Sequence, residues 1–306
     1  MKLIECVPNF SEGKDKGKIE EIAEAINSEA KLLNVESDTD HNRTVITLAG
    51  SPKEVLKAAY QGVVKVAEII DMTKHKGAHP RIGAADIIPF IPLEGATMKD
   101  CTELANKLGK KVGKLGIPVY IYGEAAKKEE RKLQSNIRKG QYEGLAEKMK
   151  LEEWKPDYGP TRFNPRSGAT MIGARKILIA YNVYLSVPDL NLAKHIAKSI
   201  RESSGGFKAV QAGGMMVDGL GQVSMNLRDY ETTGIHTVYD KIFELAKGKV
   251  KKSELIGIAP KQAFIDAGKY WYTEEKEESM LIEKAIEKLN FGNTFDPKKK
   301  IIEYMI

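Results

Sequence analysis

One alternation runs twice along this 306-residue chain, and it limits the folds open to it more than any single motif does. "KLIECVPNF" is apolar and gives way to the turn-rich "SEGKDKG", after which Ile19, Ile22, Ala23 and Ile26 recur at helical spacing. "KLLNV" and "RTVITLAG", rich in β-branched residues, flank the polar "ESDTDHN" and read as two strands joined by a loop. Ser51-Pro52 then opens a helix with Ala59, Val63, Val66, Ala67 and Ile70 on its apolar face, and "ADIIPFIPL" reads as the next strand. The order is β-α-β-β-α-β, followed by a further helix, "MKDCTELANKLGKKVGKLG", and the strand "IPVYIYG". From Lys127 to Lys155 the chain is highly charged and runs into "KPDYGPTRFNPRSG", which predicts a long connection on the surface. The pattern then restarts: strand "KILIAYNVYL", helix "LAKHIAKSI", hairpin "AVQAGGMMV" with "QVSMNLRD", helix "HTVYDKIFELAKG" and closing strand "SELIGIAP". We therefore expect an α/β (α+β) protein of two ferredoxin-like βαββαβ subdomains, residues 1–175 and 176–306, with a small-molecule cleft between them.

Several function classes are disfavoured. The N-terminal apolar run is interrupted by Glu5 and reads as a strand, not a signal peptide, and no apolar run reaches the roughly 20 residues of a membrane helix. A net charge of +6 is modest, and the lysines are spread over helices without interleaved aromatics, so nucleic acid is a weaker expectation than a small anionic substrate. Cys6 and Cys101 are far apart and form no CxxC, which points to reduced thiols in a cytoplasmic protein.

Within "DMTKHKGAHPRIGAADIIPF", His75 and His79 have the four-residue spacing of two zinc ligands on a helix. Gly77 between them and Pro80 after them argue against a helix there, and no HExxH glutamate is present; we expect no metal. Pro80 pushes His79 into extended geometry on a stiff loop, where an imidazole suits a general acid or base. On residue pattern alone, a catalytic His79 and one that merely caps the loop are equally good readings. In "DHNRT", Asn42 and Arg43 offer amide and guanidinium donors to a carboxylate, though a plain Asn/Asp turn explains the string better. "GLGQ" and "GG" lack the GxGxxG frame and read as hairpin turns, and Glu124 in "GEAA" gives no case for a base.

Several ordered strings change the weighting. "ECVPNFSEG", "NRTV", "DMTKHKGAHPRIGAADIIPFIP", "VYIYGEAA", "PDYGP", "GATMIGARKILIAYNVYL", "HTVYD" and "FDPKKKIIEYMI" together resemble the glutamate formimidoyltransferase family over nearly the whole chain. The resemblance implies two α/β subdomains, a homodimer, and transfer of a formimino group from N-formimino-L-glutamate to N-5 of tetrahydrofolate, a step of histidine breakdown in which tetrahydrofolate is the one-carbon co-substrate. It implies that His79, the histidine followed by Pro-Arg, is the proton-transferring residue. It also implies folate contacts from Tyr158, Gly159, Pro160, Thr161, Arg162, Phe163, Asn164, Pro165, Arg166 and Ser167, where Arg166 and Ser167 depart from the Ser-Trp of animal members. Animal members carry a fused cyclodeaminase, whereas this chain stops at "EYMI", so a stand-alone transferase is expected.

The chemistry asks for such groups. Attack by the folate amine on the amidine carbon gives a tetrahedral intermediate whose glutamate nitrogen departs only when protonated, and one imidazole can take the first proton and deliver the second. Asn42, Arg43 and Arg81 are the expected donor-binding residues, with Lys74, Lys76 and Arg81 supplying positive charge around His79, and Tyr158 is expected to stack on the pterin. Formyl transfer from formylglutamate, use of a related pterin, and a non-catalytic folate-binding scaffold remain as alternatives.

Overall fold

The computed structural model describes residues 2–292 and 295–306 and divides into two compact units, Met1–Arg175 and Lys176–Ile306. In the first unit, strands β1 (Ile4–Cys6) and β2 (Asn9–Phe10) are one line of chain interrupted at Val7-Pro8. Pro8 has no N–H to give a ladder, yet its carbonyl accepts from Ile46 N at 3.0 Å, so both pieces keep their place. Helix α1 (Lys16–Asn27) starts on Asp15, whose carboxylate accepts from Lys18 N. Strands β3 (Lys31–Asp38) and β4 (Arg43–Gly50) follow, and then α2 (Pro52–Ile69), opened by a Ser51–Glu54 capping box with Pro52 in the first turn, and β5 (Ala85–Pro92).

These strands lie in the order β3, β4, β1/β2, β5 with antiparallel neighbours, the order of a βαββαβ layer. The chain continues through α3 (Met98–Gly113), β6 (Val119–Gly123), α4 (Gln134–Arg138), α5 (Gln141–Lys148) and β7 (Thr170–Ala174). β7 slots between β5 and β6, parallel to both. Alternation along the strands gives the sheet two faces. Ile4, Cys6, Ile46, Leu48, Ile88, Phe90, Ile121 and Ile172 pack with α1, α2 and α3, whereas Tyr120, Tyr122 and Met171 face the other way and pack with Ile137, Leu145 and Met149 of the α4–α5 region.

The charged stretch from Lys127 to Lys155, expected to be a surface connection, is instead partly folded into the core. Arg131 is 1% exposed, paired with Asp157 at 2.6 Å and donating to the carbonyls of Glu153 and Lys155. Lys148 donates to the carbonyls of Asn136, Ile137 and Lys139, closing the end of α4. Composition marked the stretch as polar, but here cations bury by satisfying backbone carbonyls that lack helical partners.

The second unit contains β8 (Ile179–Leu185), α6 (Leu190–Ile200), β9 (Val210–Val217), β10 (Leu220–Leu227), α7 (Ile235–Leu245) and β11 (Val250–Ile256), with strand order β11, β8, β10, β9. All its neighbouring strands are antiparallel, so the βαββαβ order recurs. Asp218 and Gly219, with φ of 49° and 75°, make the two-residue turn between β9 and β10. Helices α8 (Lys261–Trp271), α9 (Glu278–Lys288) and α10 (Pro297–Lys300) follow; Phe264, Leu281 and Ile282 of α8 and α9 join this unit's core.

Candidate active site

Two loops of the first unit clasp one another. The β3–β4 loop meets the segment between α2 and β5 through Ala78 N to Asp40 O at 3.1 Å, Asn42 Nδ2 to Lys76 O at 2.8 Å, and His75 Nε2 to Asn42 O at 3.0 Å. Gly77 permits the approach: a Cβ there would lie 2.3 Å from His41 O. Asn42, with φ of 49°, also accepts from Gly13 N through Oδ1 at 2.9 Å. Its side chain is thus used at both ends in holding the loops.

The clasp brings His79 next to the β3–β4 loop. His41 meets its ring edge-on at 6.1 Å between centroids. Beside it stand Arg43 from β4, Asp86 from β5 and Arg138 from α4. Burial, then the charges of Arg43 and Arg138, hold the His79 pKa down to about 3, against Asp86 and the Pro80 carbonyl. The ring is therefore neutral at physiological pH, and its buried Nδ1 has no hydrogen-bond partner of ordinary geometry among the described residues. Lys74 and Lys76, expected to supply the positive field, are exposed; the two arginines supply it instead.

A β-bulge builds the arginine pair. Asn9 is opposite Ile87 and Phe10 is opposite Ala85, so Asp86 is the extra residue and is turned toward Arg43. Asp86 is 0% exposed: Oδ1 accepts from Ile82 N at 2.9 Å, and Oδ2 from Arg43 Nη1 at 2.9 Å and Arg138 Nη2 at 2.5 Å. Burial alone pushes its carboxyl pKa up, but Arg138, Arg43 and these bonds bring it below the ordinary value. Asn9 Oδ1 takes Arg43 Nε and Nη2 at 3.1 and 2.5 Å.

Arg81 is turned elsewhere. Its fork is closed on Glu143 at 2.9 and 2.7 Å, and its Nε donates to His75 Nδ1 at 3.3 Å. Those bonds fix His75 as the tautomer that donates from Nε2 to Asn42 O, so His75 is a brace for the clasp.

The stretch from Tyr158 to Ser167 closes against the same unit. Tyr158 donates to Asn106 Oδ1 at 2.7 Å, packs on Gly109 of α3, and has the Lys127 ammonium 5.0 Å from its ring centroid. Gly159, with φ of 82°, crosses Gly113; Pro160 is half-buried; Phe163 meets Tyr142 at 5.4 Å. Asn164 bridges Gly116 O and Ser167 N, Pro165 O accepts from Tyr142, and Arg166 donates to the α2 carbonyls Ala67 O and Glu68 O. Ser167 O accepts from Ala84 N, while Thr161 and Arg162 are exposed. Sequence reasoning missed Asp86 and Arg138: the first sat in an apolar strand string, the second in a stretch read as surface.

Residues 3–175 match the model of the formiminotransferase domain, N-terminal subdomain, and residues 180–306 that of the formiminotransferase domain. A glutamate formimidoyltransferase of Thermoplasma acidophilum is 44% identical over 94% of this chain and 98% of its own length. One from Streptococcus pyogenes is 40% identical over 88% and 93%. The formimidoyltransferase-cyclodeaminase of Dictyostelium discoideum is 41% identical over 100% of this chain, which spans 60% of that relative's length.

Proposed function

The chain belongs to the formiminotransferase family, and we propose that it is the enzyme that moves a formimino group from N-formimino-L-glutamate to N-5 of tetrahydrofolate, releasing L-glutamate. The observation that carries this reading is His79, a neutral, half-buried imidazole with a free nitrogen beside two arginines. As N-5 attacks the amidine carbon, the ring takes the proton of the attacking nitrogen. As the tetrahedral intermediate breaks, it returns a proton to the glutamate nitrogen, which leaves as an amine. Arg43, with Nε, Nη1 and Nη2 each committed to one bond, keeps two of a guanidinium's five N–H groups for a donor carboxylate. Asn42 and Arg81 support the reaction indirectly, by holding the clasp and bracing His75.

Tetrahydrofolate is held along Tyr158–Ser167 in this reading. With Tyr158 packed on α3, the exposed Thr161 and Arg162 are the side chains suited to reach it. The reaction belongs to histidine degradation and one-carbon metabolism. A cytoplasmic homodimer fits the same family membership, and sedimentation velocity tests the assembly. Among the described residues no helix is long and apolar enough to cross a membrane.

The direct test gives purified protein tetrahydrofolate with each of two donors and weighs the products. The 5-formimino compound is expected from N-formimino-L-glutamate, with turnover at least about a hundredfold lower for His79→Ala, the scale of a lost general acid–base. A 5-formyl product from formylglutamate alone replaces the reading with formyl transfer. A folded His79→Ala variant of parental rate removes His79 from the chemistry.

A further inference from the structure

We propose that Arg138, at the end of α4, is a second donor-carboxylate residue that works beside Arg43 at His79; the inference rests on the transferase reading above and deepens it. Two buried nitrogens in this neighbourhood, Arg138 Nε and His79 Nδ1, have no hydrogen-bond partner among the described residues. Buried polar atoms are seldom left so, and the Arg138 charge acts on His79, so the two orphaned nitrogens mark a place for a ligand. The charge count agrees. Asp86 brings one negative charge to two guanidiniums through a single shared oxygen, leaving one positive charge without an ion-pair partner among the described residues. A water molecule can satisfy the Nε–H but not that charge, whereas a carboxylate does both.

Arg138 is also held firmly enough to select a ligand. Lys148 grips the carbonyls of Asn136, Ile137 and Lys139 at 2.7, 2.7 and 3.2 Å, fixing the backbone on both sides of Arg138. Ile137 anchors the adjacent side chain in the α4–α5 core. Arg81, the alternative second arginine, has its fork on Glu143. The donor that fits is an amino acid derivative whose carboxylate reaches Arg138 and Arg43 while its amidine carbon lies at His79.

The test uses Arg138→Met and Arg138→Lys in the full chain, with steady-state kinetics on both substrates and calorimetric titration with L-glutamate. Loss of a charge-assisted hydrogen bond predicts that Arg138→Met raises the donor KM and the L-glutamate Kd by about 10- to 100-fold, with the folate KM within about threefold of the parent. Arg138→Lys keeps a cation against Asp86 but lacks the Nε–H, so it should fold like the parent and still weaken the donor. If the parent yields no formimino product, the transferase reading fails on its own. L-glutamate binding then still decides the assignment of Arg138: weaker binding in the variants supports it. Unchanged affinity in a folded variant, or a parent that does not bind L-glutamate, overturns it.

Discussion

Asp86→Asn isolates the buried ion triad with little change of shape. The carboxylate accepts three bonds, from Ile82 N, Arg43 Nη1 and Arg138 Nη2. An asparagine that aims its oxygen at the arginines aims its amide hydrogens at the Ile82 N–H, and the reverse placement sets donors against two guanidiniums. At least one buried donor therefore goes unpaired, costing about 1–3 kcal/mol. The electrostatic loss is larger. At about 4 Å and an effective dielectric of about 20, each pair contributes about 4 kcal/mol of attraction. The relief from no longer burying a carboxylate offsets much of it, but both guanidiniums stay buried, so attraction wins and the net cost is about 3–5 kcal/mol. Trp154 lies in the first unit and Trp271 in the second, so a Trp271→Phe background lets Trp154 fluorescence report the first unit in urea. With a slope near 2 kcal/mol per molar, the midpoint should fall by about 2 M, and Arg138→Met added to Asp86→Asn should recover part of it. A midpoint within about 0.5 M of the parent at unchanged slope refutes the claim that Asp86 neutralises the arginines.

Two further outcomes follow from the clasp and from His79. Gly77→Ala places a Cβ 2.3 Å from His41 O, so the two loops must part, and kcat/KM should drop at least about tenfold while the melting temperature changes little; parental kcat/KM shows that the clasp does not align His79. The folded His79 ring resists protonation down to about pH 3, whereas an unfolded histidine takes its proton near pH 6.5. The unfolded state thus binds more protons between these values, and stability present above about pH 6.5 is lost as the pH falls. His79→Gln should therefore lose less melting temperature than the parent between about pH 7 and pH 4.5, and equal losses contradict a buried neutral ring.

Local chemistry made much of the fold readable. The β-α-β-β-α-β order follows from periodicity and the start of α2 from Ser51-Pro52, each signal lying within a few residues of what it controls, whereas Gly213-Gly214, expected as a turn, is paired inside β9 and the turn falls at Asp218-Gly219. Pairings between distant segments left no such trace. Nothing in "GATMIGA" tells that β7 inserts between β5 and β6, and nothing in "ADIIPF" tells that Asp86 is the bulged residue. Arg81 looked like the ligand for a carboxylate because it adjoins His79 in sequence. In the structure the bonds from its guanidinium run to Glu143, Gln141 and His75, contacts of which its place in the sequence gave no sign.

The same contrast bears on how an acid–base group is kept ready. An imidazole held near pKa 3 is a weak base at neutral pH, and catalysis favours a group whose pKa lies closer to the operating pH. Burial is the larger cause of that depression and a ligand does not relieve it, but the charges of Arg43 and Arg138 add to it, so a donor carboxylate seated on them would offset their part and raise the basicity of His79 as the substrate arrives. The charged groups in this balance are Arg43 on β4, Asp86 on β5 and Arg138 on α4. In the proposed reaction the buried positive charge, which burdens the folded protein without its substrate, would tie proton transfer at His79 to occupancy by the anionic donor.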